Sequence, residues 1–287
     1  MALSMGRGPF GQRPCGTFDE GVTRPSHIAY LEPSPRRVRV TLAGQTIADT
    51  RRAALLYETG YLPAYYFPEA DVRTDLLEPS DRTRESPVLG RARSWSVRVG
   101  ERVADNAAFG WWEPPLTAPP VAGLVTFVFD EMDTWYEEDE RILGHPNDPY
   151  HRVDIRSSSR NIRLSHAGAV IAESSRPLLL FETGLLPRYY LPADDVTAEL
   201  VPSDAHSRCP YKGVPSYWSV RTGDELLTDL VWSYLTPRPE AIAIKGALAF
   251  FDERLDLDID GERQPRHDTP WSRPEFLRSN PRPPMRD

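Results

Sequence analysis

Phe181-Glu182-Thr183-Gly184-Leu185-Leu186-Pro187-Arg188-Tyr189-Tyr190-Leu191-Pro192 repeats, almost residue for residue, the earlier stretch from Tyr57-Glu58-Thr59-Gly60 through Pro63 and Tyr65-Tyr66 to Pro68. The two glutamates are offset by 182 − 58 = 124 residues, and the match runs on in both directions, so the chain is a tandem repeat of a domain-sized unit. Upstream, Val38, Val40 and Leu42 alternate with Arg39 and Thr41 before Ala43-Gly44, and Ile162, Leu164, Ala167-Gly168 and Val170-Ile171-Ala172 do the same. That is the pattern of two half-buried strands joined by a tight turn. Downstream, Leu76-Leu77 through Pro79-Ser80-Asp81 matches Leu200-Val201-Pro202-Ser203-Asp204 once the second copy drops one residue. The offset is then 123 and holds through Ser94-Trp95-Ser96-Val97-Arg98 against Tyr217-Trp218-Ser219-Val220-Arg221.

Turn signals about every ten residues, β-branched and aromatic enrichment, and the lack of a long 3.6-period segment make the expected fold all-β, the same domain twice, with short helical turns. The boundaries that follow are 1–36 for a flexible extension, 37–141 for the first repeat, 142–160 for a linker around Pro146-Asn147-Asp148-Pro149, 161–262 for the second repeat and 263–287 for a Pro/Arg-rich tail. Within that tail Trp271 and Phe276 are the residues able to anchor.

A chain of 287 residues suits two domains, each with its own core. Net charge is −8, so neither nucleic acid nor an anionic membrane is an expected partner, and a small-molecule ligand is. Cys15 and Cys209 form no CxxC pair, which argues against a disulfide framework and a thiolate metal site; no metal and no cofactor are expected. With no apolar run of about 20 residues and no leader-like start, a cytoplasmic location is expected. Of 34 basic residues only Lys212 and Lys245 are lysines, both in the second repeat and both followed by glycine.

The copies differ most where the first reads Ser86-Pro87-Val88-Leu89-Gly90 and the second Cys209-Pro210-Tyr211-Lys212-Gly213. Shared proline and glycine meet the needs of a backbone turn. Thiol, phenol and amine are additions to it. A thiolate beside an ammonium ion is stabilised and nucleophilic near neutral pH, so the candidate catalytic residues are Cys209, Lys212 and Glu182, the last orienting the lysine or moving protons. His206 is a second candidate base for the thiol. Read as an exposed turn, this segment would let Lys212→Met remove the charge with little effect on folding. Tyr189, Tyr190, Tyr211, Tyr217, Trp218 and Trp232 are candidate ligand-binding residues, as flat apolar groups suited to a planar ligand. The first copy's Tyr65, Tyr66, Trp95 and Phe109 equally suggest core aromatics.

Asp256-Leu257-Asp258-Ile259-Asp260-Gly261 starts like a calcium loop but has His267 at the twelfth position, and it reads instead as an edge strand. The run Trp135-Tyr136-Glu137-Glu138-Asp139-Glu140 reads as a solvated segment packing its aromatics on the first domain.

The ETG-x-x-P-x-Y-Y-x-P, CPYKG and YWSV motifs, with the WYEEDE ending of the first copy, closely resemble the bacterial "domain of unknown function 427" family over about 37–141 and 161–262. The resemblance implies a β-tent, two antiparallel sheets pinned at one edge, as in methionine sulfoxide reductase B and the thalidomide-binding domain of cereblon. Relatives with that fold often carry a cysteine-bound zinc, for which this chain lacks the ligands. It also implies a nucleotidyltransferase-like label, for which neither a Walker-type loop nor a clear metal-binding aspartate pair is present. Two functional classes follow from the residues: a small-molecule enzyme of acyl or amide chemistry using Cys209, Lys212 and Glu182, and a non-catalytic binding module using the aromatic cleft.

Overall fold

Strand Val38–Leu42 turns back into Gln45–Thr50 through Ala43 and Gly44, both at positive φ, and Ile162–His166 turns into Ala169–Ser174 through Ala167 and Gly168 in the same conformation. These are the two-residue hairpins the sequence predicts. The computed structural model describes residues 3–279, and among them the chain is mostly β, in two compact units that divide between His151 and Arg152.

Each unit contains one seven-stranded and one four-stranded antiparallel sheet. In the first unit the large sheet runs in space Ala29–Pro33, Ala54–Glu58, Ala64–Pro68, Leu124–Phe127, Arg102–Trp111, Gly90–Val99, Leu77–Ser86. The second follows the same order with Val153–Ser157, Leu178–Glu182, Arg188–Leu191, Leu248–Phe250, Glu225–Ser233, Ser216–Thr222 and Glu199–Ser203. Among the described residues no helix is long and apolar enough to cross a membrane.

Alternation along the strands sorts residues between two faces. In the first unit Val38, Val40 and Leu42 of the small sheet pack with Leu55, Tyr57, Tyr65 and Phe67 of the large one. The alternate residues Leu56 and Tyr66 join a separate cluster with Leu89, Trp111 and Val121 on the opposite face. Glu58 has the parity of Leu56, and Glu182 that of Leu180, so the repeated glutamate belongs to this outer face in both copies.

The copies also share their irregularities. A bulge interrupts pairing after Trp95 and after Trp218. Opposite it, Asn106 and Asp229 adopt positive φ and donate their backbone N–H to Ser96 Oγ and Ser219 Oγ, each at 3.1 Å. The residue missing from the second copy falls at the short 3-10 turn Thr74–Leu76, between strand Ala64–Pro68 and the last edge strand of the large sheet, Leu77–Ser86. The deletion lies outside every ladder, so facing is preserved in the strands that follow.

Several expectations need amendment. Strands Ala29–Pro33 and Val153–Ser157 lie in segments read as extension and linker; both are half-exposed edge strands, without the alternation that marks a strand in sequence. Ile142 belongs to the first unit's core, and Asp148 is buried there, where its carboxylate accepts from the Tyr57 hydroxyl at 3.2 Å. Glu137 is not solvated: it is buried and accepts from Tyr65 Oη at 3.0 Å and Arg36 Nη1 at 2.8 Å. Strand Asp256–Ile259 is paired on both sides, with Ile162–His166 and Glu262–Arg263, and its aspartates are engaged by Arg263 and Arg266. In the tail, Trp271 and Leu277 pack on the second core and Trp271 meets Phe276 at 6.1 Å. Pro281, Pro283 and Pro284 lie outside the described residues.

Candidate functional site

The Cys209-Pro210-Tyr211-Lys212-Gly213 segment closes on itself through two backbone hydrogen bonds, Cys209 N–H to Gly213 O and Gly213 N–H to Cys209 O, each 2.9 Å. Gly213 sits at φ +103°, a conformation that strains residues with a Cβ. Arg238 N–H then donates to Lys212 O at 3.1 Å, tying the turn to the loop after strand Glu225–Ser233. Held at both ends, the turn sends the Lys212 side chain inward, not into solvent: Lys212 is 8% exposed and Glu182, 30 positions earlier, is 9%. The ammonium donates to Glu182 Oε2 in a buried ion pair. Reading Lys212 as the tip of an exposed turn was therefore wrong, because its cover comes from elements distant in sequence.

Burial alone would push the Lys212 ammonium down, but its electrostatic interactions with Cys209 and Glu182 outweigh it, and the net direction is up. Lys212 is thus a permanent cation, suited to stabilising an adjacent anion and ill suited to shuttling protons near neutral pH. Cys209 is half-buried beside it. Three buried tyrosines lie close to these groups. Burial raises Tyr190 and Tyr234, and pushes Tyr217 up to about 12. Each phenol therefore stays protonated. Trp232 Nε1 donates to Tyr190 Oη at 3.0 Å, and Tyr217 Oη shares a 2.7 Å hydrogen bond with Ser207 Oγ.

Of the aromatic candidates, Tyr190, Tyr217 and Trp232 are thus buried walls around the pair, while Tyr189 and Trp218 are half-buried against the second core and Tyr211 is half-buried in the turn itself. Tyr189 and Tyr190 separate because neighbours on a strand face opposite ways. Tyr234 was missed, although it lies two positions beyond Trp232, just past the end of strand Glu225–Ser233, and is buried. His206 is exposed and directs Nδ1 to Asp204 O at 3.2 Å.

At the equivalent place in the first unit Leu89 replaces Lys212 and is fully buried. Glu58 instead accepts from Ser86 Oγ and, at 2.9 Å, from His27 Nε2, which comes from the N-terminal segment. That segment is built in: Thr59 Oγ1 donates to Phe10 O at 3.0 Å and Gly60 N–H to Ser4 O at 2.9 Å. Ser86 donates to the same oxygen as His27, Glu58 Oε1, and receives the N–H groups of Val88 and Leu89, so its hydroxyl anchors a turn.

A second cluster flanks the site in the second unit. Arg188 pairs with Asp252 and Glu253, and lies 5.6 Å from the ring centres of both Trp232 and Trp271. Thr269 Oγ1 adds a 2.8 Å hydrogen bond to Glu253. Among the described residues no group of three His, Cys, Asp or Glu side chains is arranged to hold a metal ion.

The fold and its two turns define a tandem β protein in which the repeated glutamate pairs with Lys212 in one copy and with His27 and Ser86 in the other. The chain matches the family described as Domain of unknown function (DUF427) twice, over residues 30–138 and 154–261. More than half of the chain is covered, and the chain belongs to that family. The matches begin with the edge strands Ala29–Pro33 and Val153–Ser157, which places those strands inside the family's domain. No curated protein matches the chain.

Proposed function

We propose that the second repeat is a small-molecule site in which Cys209 acts as a nucleophile on an acyl compound, beside a fixed Lys212 ammonium that Glu182 holds in place. The observation that carries this reading is the buried Lys212–Glu182 pair at a position where the sibling domain uses leucine. A buried ion pair is at best neutral for stability against apolar residues of the same volume, so stability gives little reason to install one. Chemistry does. The Cys209 proton passes to solvent, Sγ adds to the acyl carbon to form the C–S bond and an oxyanion, and the oxyanion collapses as the bond to the leaving group breaks and that group takes a proton from water. A second water hydrolyses the thioester. Lys212 stabilises the thiolate and the oxyanion of each addition, and needs no change of protonation state. The aromatic-cleft binding module fits less well, because Tyr190, Tyr217 and Trp232 are buried and hydrogen-bonded to other side chains.

The test is the pH dependence of Cys209 alkylation by iodoacetamide in a Cys15→Ser background. Lys212→Met should slow labelling near neutral pH and Glu182→Gln should speed it, by about tenfold for each pH unit that the profile moves. Opposite signs separate electrostatics from loosened structure, which would speed labelling in both. Equal profiles in all three proteins, or no labelling of the folded chain, would refute the nucleophile.

A further inference from the structure

The outer face of the first unit's large sheet holds polar groups without partners. Antiparallel pairing sets Tyr66 opposite Thr126, Thr126 opposite Phe109 and Phe109 opposite Ser94, a row across four strands whose side chains share one face. Arg84 pairs with Ala92 of the same face and lays its guanidinium over the Phe109 ring, 4.2 Å from the centre. Ser94 and Thr126, one on each side of Phe109, are 3% and 1% exposed. Ser94 Oγ, Thr126 Oγ1 and Arg84 Nε are all buried, and among the described residues none of the three has a hydrogen-bond partner.

The second unit shows the same positions satisfied. Adding 123 to 84, 94, 109 and 126 gives Ser207, Tyr217, Trp232 and Ala249, and the last three pair in the same order. There Ser207 Oγ and Tyr217 Oη hydrogen-bond each other at 2.7 Å, and alanine needs no partner. The first copy has exchanged that closed pair for a guanidinium and two hydroxyls. No carboxylate serves Arg84: among the described residues it forms no ion pair. Glu58, on this face, accepts from Ser86 and His27, while Glu85 lies 3.5 Å from Arg91 and Glu113 lies 3.8 Å from Arg93. Burial, and then the charge of Arg82, push the Arg84 guanidinium down, so its surroundings disfavour the cation they hold. Buried polar groups left in this state cost stability until an acceptor reaches them.

We infer that the first repeat has a binding site of its own, for the carboxylate of a small monoanion, with Arg84 pairing the charge and Ser94 and Thr126 donating beside Phe109. All three groups can donate, so their complement is a group that only accepts. A carboxylate accepts two parallel bonds from a guanidinium edge and carries the single charge that one guanidinium neutralises. A dianion would keep an uncompensated charge among buried groups. The site is independent of the Cys209 thiol and of the reaction assigned to it.

The experiment is a thermal-shift series on the full chain with sodium acetate and sodium benzoate, against acetamide, benzamide, sodium phosphate and sodium chloride at matched ionic strength. Wild type, Arg84→Met, Thr126→Val and Lys245→Gln are compared, the last as a control in the second unit. A ligand bound only by the native state raises the melting point with its concentration. Both carboxylates should raise it above the chloride baseline in wild type and in Lys245→Gln, the amides should not, and phosphate should fall below acetate. Arg84→Met and Thr126→Val should each lose more than half of the shift. Without ligand, Thr126→Val should melt no lower than wild type, because the hydroxyl it removes has no partner to lose. That variant keeps the test decisive if Arg84→Met folds poorly. Hydrogen exchange in acetate should slow in strands Gly90–Val99 and Leu124–Phe127 and be unchanged in the second unit. No shift over chloride with either carboxylate, amides as effective as acids, phosphate matching acetate, a shift that survives Thr126→Val, or protection confined to the second unit would each overturn the inference.

Discussion

Replacing Lys212 with leucine, the residue its sibling position carries, tests whether the buried pair is a stability liability. The substitution removes the Lys212 ammonium from Glu182, which is 9% exposed. Breaking a buried pair from one side costs about 3–5 kcal/mol. Burying a leucine side chain returns roughly 1.5 kcal/mol or more. The second unit should therefore lose about 1.5–3.5 kcal/mol at pH 7. In the variant the buried carboxylate has lost the Lys212 ammonium, which moves its ionisation to higher pH. Its neutral form is fully tolerated below the unfolded value of about 4.3, and the deficit grows as pH rises through the raised native value, so acidification from pH 7 towards pH 5 should shrink it. Adding Glu182→Met should bring stability back to wild type or above. The assay is urea unfolding followed by hydrogen exchange resolved to the second unit, at both pH values. A Lys212→Leu protein within about 0.5 kcal/mol of wild type at pH 7, a deficit that does not shrink in acid, or a double variant no better than the single would refute the reasoning.

In the same unit, Arg188→Met leaves Asp252 and Glu253 facing each other without their guanidinium, and should lower the urea midpoint by the equivalent of about 3–5 kcal/mol. Burial by itself would raise Asp229, but hydrogen bonds and charge from Arg278 hold it below the usual carboxylate range. Its contribution is therefore complete above the unfolded value of about 3.9 and lost as pH falls through the lower native one, so any stability gap between wild type and Asp229→Asn at pH 6 should close in strong acid. The same variant, which recreates the first repeat's Asn106, should expose residues 269–278 to faster proteolysis because Arg278 Nε donates to Asp229 Oδ2 at 2.6 Å. His27→Ala removes one partner of Glu58 and should cost about 1 kcal/mol, with hydrogen exchange rising over residues 3–16 and nowhere in the second unit.

Periodicity made the fold legible. The hairpins at Ala43-Gly44 and Ala167-Gly168, the aromatic strands and the repeat itself are all local patterns, and local patterns survive in sequence. Strands Ala29–Pro33 and Val153–Ser157 were not legible, because an edge strand with half-exposed faces lacks the alternation that burial imposes. The grouping of Glu182 with Lys212 followed from repeat comparison, whereas the lysine's burial did not. Exposure of a turn depends on what closes over it, here the Arg238 loop. Alternation alone could have separated Tyr189 from Tyr190. Docking of the N-terminal segment on Thr59 and Gly60 rests on backbone carbonyls, which any residue supplies and no sequence signals.

The 3-10 turn Thr74–Leu76, which the second copy has shortened by one residue while keeping the sheet order and strand pairing around it, has a practical consequence. Nature has already varied chain length there without shifting the ladders on either side, so the junction tolerates changes of length. Residues 74–76 in the first half and the matching bend near Thr197 in the second are therefore natural insertion points for an epitope or a fluorophore attachment sequence. Because the two junctions are equivalent in fold but belong to halves whose repeated glutamates have different partners, a label placed at each in turn would give a matched pair of reporters within a single polypeptide.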